Sequence, residues 1–140
     1  LKQYGDNLEQ ISSVEEIDRT LNELKAFQAA FDTDDPRRSQ TEQLSNNYRK
    51  LYKHITIRQE SEAGKDNIVI SLYLKDKLIS CMQKPQLLSN CATQLSVSVE
   101  NDLYRISYSS NSCYEDDENY IDIRFRLGNQ IISKRIYLSL

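Results

Sequence analysis

The hydrophobic pattern changes period at His54, and that change limits the chain to helices followed by sheet. Before it, Leu8, Ile11, Val14, Ile17, Leu21, Leu24, Phe27 and Phe31 recur at spacings of three and four, the stripe of an amphipathic helix. After it, Ile55/Ile57 and Ile68/Ile70/Leu72/Leu74 alternate with polar neighbours, as strands with one buried face do.

The first helix is expected over about 8–31, with its regular part starting at Ser13, because Ser12 and Ser13 precede Glu15 and Glu16 as an N-cap precedes an acidic first turn. Pro36 forces Asp35 out of the helical region, and Asp34 or Asp35 can cap a second helix over about 36–52. Its apolar side carries Leu44, Tyr48, Leu51 and Tyr52. Two helices joined by so short a turn form an antiparallel hairpin.

Register arithmetic orders the strands. A turn at Gly128-Asn129 sets Phe125 opposite Ile132, Ile121 opposite Ile136, Asp122 opposite Arg135 and Tyr120 opposite Tyr137. A turn at Asn101-Asp102 sets Val99 opposite Tyr104, Val97 opposite Ile106 and Leu95 opposite Tyr108. One at Asp76-Lys77 sets Leu74 beside Ile79 and Leu72 beside Cys81. The expectation is one α+β domain over 1–140: an N-terminal antiparallel helical hairpin packed on one face of an antiparallel meander of about six strands over about 54–140.

Extending the Asn101-Asp102 ladder outward places Cys91 opposite Ser112, next to Cys113. This favours a Cys91–Cys113 disulfide over closure of Cys81 on Cys91 through the proline loop, and three reduced thiols with Cys81 in the core is the third alternative. Zinc would need all three cysteines with the lone His54, and no short chelating pair is present among them. CxxC, GxSxG, GxGxxG, HExxH and GxxxxGKS/T are absent, so the sequence supports no catalytic, metal or cofactor site. An enzyme would have to use an unrecognised site near His54.

Net charge is -3 with a pI near 5.2, a poor field for nucleic acid or an anionic membrane, and the apolar runs are too short to span a bilayer. The chain opens on Leu1 rather than Met, which reads as an excised domain, a processed product or a chain whose front was removed, and a signal or lipid segment could have been lost there. Tyrosine is abundant, and Tyr with Arg often dominates protein interfaces. Tyr120, Tyr137 and Tyr73 are expected on the outer sheet face beside Arg124, Arg126 and Arg135, with the acidic loop Glu115, Asp116, Asp117 and Glu118 at its edge. The function expected first is a non-catalytic protein–protein interaction module, periplasmic, envelope-associated or secreted: an accessory lipoprotein-, adaptor- or inhibitor-like protein of an envelope or secretion system. The alternative is a cytosolic or nuclear scaffold that homodimerises through the stripe of Val14, Ile17, Leu21, Leu24 and Phe31.

Overall fold

The computed structural model describes residues 1–61, 66–115 and 117–139. Its helical part is the expected pair, with one change at the front. Helix α2 (Val14–Ala30) starts where Ser13 Oγ accepts the Glu16 amide at 3.1 Å, and helix α3 (Pro36–Leu51) starts where Asp35 accepts the Arg37 amide at 3.0 Å. They run antiparallel, because Gln28 near the end of α2 donates to Glu42 while Asp18 near its start accepts from Tyr52.

The helix expected from residue 8 does not reach back that far. A short helix α1 (Lys2–Asn7) and a 3-10 turn (Leu8–Gln10) precede an extended stretch at Ile11–Ser13. There Ser12 O accepts the Ser80 amide at 3.0 Å and Val14 N donates to Ser80 O at 2.9 Å, a parallel bridge to the sheet. The stripe continues through the break because Ile11 is extended yet still buried in the same core.

The described residues form eight strands in two antiparallel sheets rather than one six-stranded meander. β1 (Ile55–Gln59), β2 (Asn67–Leu74), β6 (Leu103–Ser109) and β5 (Thr93–Glu100) follow one another in the first sheet. β3 (Lys77–Ile79) lies beside β2 on the stretch that β6 leaves free. The second sheet is β4 (Gln86–Ser89), β7 (Tyr120–Leu127) and β8 (Gln130–Tyr137), with β7 central. The proline loop thus contains a strand, and the chain changes sheets between Ile79 and Gln86. Alternation of apolar residues assigns faces but not the neighbour along each strand edge, so it does not distinguish one sheet from two.

The inner faces of both sheets and the helical pair share one core. Tyr104 of β6 meets Phe125 of β7 edge-on, with ring centroids 5.2 Å apart, and both are fully buried among Ile17, Leu24, Tyr48, Ile70, Leu72 and Ile121. Of the stripe Val14, Ile17, Leu21, Leu24 and Phe31, on which dimerisation through the first helix would rest, Val14, Ile17 and Leu24 lie inside this core while Leu21 and Phe31 are half-buried.

The β7–β8 register is the expected one throughout. The β5–β6 register holds for Val99–Tyr104 and Val97–Ile106, then breaks at a bulge between Thr93 and Ser96, where Gln94 takes φ 55°. The β2–β3 turn lies at Lys75-Asp76 rather than Asp76-Lys77. Leu72 therefore pairs with Ile79 and Leu74 with Lys77, a two-residue shift that leaves every face unchanged because side chains alternate with period two. Cys91 and Cys113 form the disulfide, with Cα atoms 5.0 Å apart, and Cys81 is a buried free thiol pushed up to about 11, chiefly by desolvation.

Gly128 carries the β7–β8 turn at φ +60°, and a Cβ there would come within 2.9 Å of the Tyr52 ring. Gly128→Ala therefore meets both a strained backbone and a ring that is itself buried and bonded to Asp18, and should lose more than about 1 kcal/mol in urea unfolding. An unchanged midpoint would show that the turn relaxes freely. Replacing both Cys91 and Cys113 by Ser should cost about 3 kcal/mol on the chain-entropy account of a closed loop of this length, read in the same assay.

Candidate functional site

The outer face of the second sheet gathers most of the residues singled out above. Gly128 turns β7 back on β8, and alternation then sends Ile121, Ile123, Phe125 and Leu127 inward and Tyr120, Asp122, Arg124 and Arg126 outward. The register places Tyr137, Arg135, Ser133 and Ile131 across from those four in turn, and β4 adds Leu88 beside Asp122 and Gln86 beside Arg124. The face carries exposed apolar side chains among its charges: Leu88 is 41% exposed, Tyr137 55% and Ile131 62%.

Its three arginines do different things. Arg135 is held in place: Nε and an Nη donate to the two carboxylate oxygens of Asp122 at 2.8 and 3.0 Å, and the guanidinium stacks 3.7 Å over the Tyr120 ring. The hydrogen bond from Arg135 holds the Asp122 carboxyl below its usual range, and the same bond deepens the charged state of Arg135. Arg124 and Arg126 are exposed, and among the described residues neither has a carboxylate within ion-pair distance. They line a cleft of about 460 Å³ with Gln83, Lys84, Pro85, Gln86 and Ile131. Pro85 is buried, which anchors this side of the cleft, and it restricts Lys84 to extended conformations.

The acidic loop lies at the opposite end of β7, and Asp116 falls outside the described residues. Glu115, Asp117 and Glu118 are exposed. The loop is pinned through its backbone: Asn90 Nδ2 donates to Glu118 O at 2.7 Å, Asn90 Oδ1 accepts from Tyr120 N at 3.0 Å, and buried Asn119 Nδ2 donates to Tyr114 O at 2.7 Å. Ser89 Oγ donates to Tyr120 O at 2.6 Å and accepts from the Ala92 amide at 2.9 Å. These Ser and Asn residues were not anticipated as site residues, although short polar side chains beside a turn commonly bond to backbone in this way. Lys84 was also missed, since its place in the cleft depends on the change of sheet.

Tyr73 does not belong to this face. It sits on β2 of the first sheet, where Arg58 stacks over its ring at 3.8 Å. His54 is exposed at the junction of α3 and β1, and its backbone carbonyl accepts the Lys75 amide at 3.1 Å. The disulfide takes two of the four side chains that a zinc site of three cysteines and His54 would need. A larger depression of about 600 Å³ lies at the α2–α3 connection, but its Asp35 and Arg38 are engaged by Arg37 and by the Phe31 carbonyl, as parts of the turn and helix cap.

The outer face thus carries a fixed Tyr120–Asp122–Arg135 post, with a cationic cleft on one side of it and a carboxylate-bearing loop on the other. No helix among the described residues is long and apolar enough to cross a membrane. No family model, curated protein or solved structure matches the chain.

The Asp122–Arg135 pair generates a pH test. The folded-state pKa of Asp122 is depressed, so its contribution to stability is complete above the unfolded value and is lost as pH falls through the folded one. Asp122→Asn should lower the thermal midpoint near neutral pH, and its difference from the parent should shrink steadily below about pH 4. A difference independent of pH would show that the pairing does not carry the effect.

Proposed function

We propose that the chain is a small, non-catalytic protein–protein interaction module of an oxidising, exported compartment, acting as an adaptor- or inhibitor-like accessory protein of an envelope or secretion system. The contact surface is the outer face of β4, β7 and β8 around Tyr120, Arg124, Arg126, Arg135 and Tyr137, with Glu115, Asp117 and Glu118 at its edge. The observation that carries this reading is the pair Arg124 and Arg126, exposed without an ion-pair partner among the described residues, with exposed Ile131 across from Arg126 and exposed Tyr137 further along the same face. Arginine with aromatic and aliphatic neighbours is the composition that anchors interfaces, and a face built on a central strand presents it rigidly.

The Cys91–Cys113 bridge supports an oxidising compartment, since such bonds persist where thiols are oxidised. The intracellular scaffold reading is the weaker one, because Val14, Ile17 and Leu24 of the stripe it would use are buried in the domain's own core, leaving only Leu21 and Phe31 half-exposed.

The test is capture of partners from the native source on immobilised chain. Arg124→Glu with Arg126→Glu should abolish capture and lower the thermal midpoint by no more than a few degrees, since both side chains are exposed and only Arg124 bears, through its charge, on the Asp122 carboxylate. Undiminished capture by the double variant removes this surface as the interface.

A further inference from the structure

We propose that the Lys84–Arg124–Arg126 cleft binds an acidic peptide segment in extended conformation, through carboxylates on alternate residues; this rests on the contact surface described under Proposed function and names its ligand. Three cationic side chains line one cleft, and among the described residues none of them has an ion-pair partner. Arg135, on the same face, is engaged by Asp122, so the two arginines beside it differ in being available.

Arg124 and Arg126 alternate on β7 and project from the same side about 7 Å apart, the repeat of two residues along a strand. An extended peptide presents every second side chain at that same repeat. Two acidic residues separated by one other residue therefore match both guanidinium groups, each able to take a carboxylate through two parallel hydrogen bonds. Lys84 supplies a third charge across the cleft. Ile131, opposite Arg126 and 62% exposed, offers apolar contact to an aliphatic residue of the same segment.

A long polyanion fits less well. Continued along β7 towards Tyr120, it would meet Asp122 and then Glu118, Asp117 and Glu115. The whole chain, at net charge -3, would also repel it. The cleft suits a short acidic run rather than nucleic acid or a sulfated polysaccharide.

The experiment is fluorescence anisotropy on the full chain with two labelled hexapeptides of identical composition, one alternating Glu and Leu and the other blocked as Glu-Glu-Leu-Leu-Glu-Leu, in which no two Glu are separated by a single residue. Heparin and inorganic phosphate serve as competitors. The alternating peptide should bind more tightly than the blocked one and weaken as salt rises. Arg124→Gln with Arg126→Gln should reduce its affinity by about two- to thirtyfold, the loss expected for two exposed charge pairs together, and Lys84→Gln should reduce it by less.

Equal binding of the two peptides, unchanged affinity in the double variant, or displacement of the peptide by phosphate at comparable concentration would each overturn the proposal. Preference for heparin over the alternating peptide would also overturn it and assign the cleft to a polyanion. If neither peptide binds while Arg124→Glu with Arg126→Glu still abolishes partner capture, the acidic ligand falls and the interface stands. Capture that survives that reversal removes the interface as well.

Discussion

Tyr104 projects from β6 into the space between the two sheets, where its ring meets Phe125 and its hydroxyl donates to the Cys81 carbonyl. Both contacts fall where the chain leaves the first sheet for the second. A buried carbonyl without a donor costs about 1–3 kcal/mol, and burial of its neighbours keeps water from substituting here. The Tyr104 hydroxyl supplies that donor while the ring fills the gap that two twisted apolar faces leave between them. The position of β4 follows from this junction, and through β4 the wall of the cationic cleft.

The outer face divides its cations between two tasks. Arg135 is aligned by Asp122 and Tyr120 so closely that it belongs to the scaffold, and it keeps β7 and β8 in register from the solvent side. Arg124 and Arg126, the next outward residues along β7, have no such partner among the described residues. The backbone pins at Ser89, Asn90 and Asn119 do for the acidic end what Pro85 does for the basic end, placing charged side chains from irregular segments on a rigid sheet.

Much of this was legible in residue order. Gly128-Asn129 between two alternating runs determined β7–β8 down to each cross-strand pair, because Gly provides the positive φ and one face is wholly apolar. At Lys75-Asp76 the reading was off by two residues and still placed Ile79 and Cys81 inward, since parity and not register decides the face. The disulfide was anticipated from a ladder that the bulge at Gln94 breaks, and the pairing held because the two cysteines need only nearness. The division into two sheets was hidden, as strand edges leave no trace in hydrophobic period. The Asp122–Arg135 pair was legible from the register, but the stacking of Arg135 over the Tyr120 ring was not, and with the change of sheet went the cleft that Lys84 completes.

The buried thiol has a consequence for how the chain matures. Three cysteines allow three different single bridges, and while the chain is unfolded all three thiols are open to oxidation and exchange. Exchange needs a thiolate with access to the bridge, and folding denies Cys81 both: it is 3% exposed, beneath the junction that Tyr104 closes, and about 11 is far above ambient pH. Core packing thereby withholds the one free thiol from disulfide exchange. A molecule that has folded with Cys91 joined to Cys113 carries its own third thiol but is kinetically sealed against being reshuffled by it.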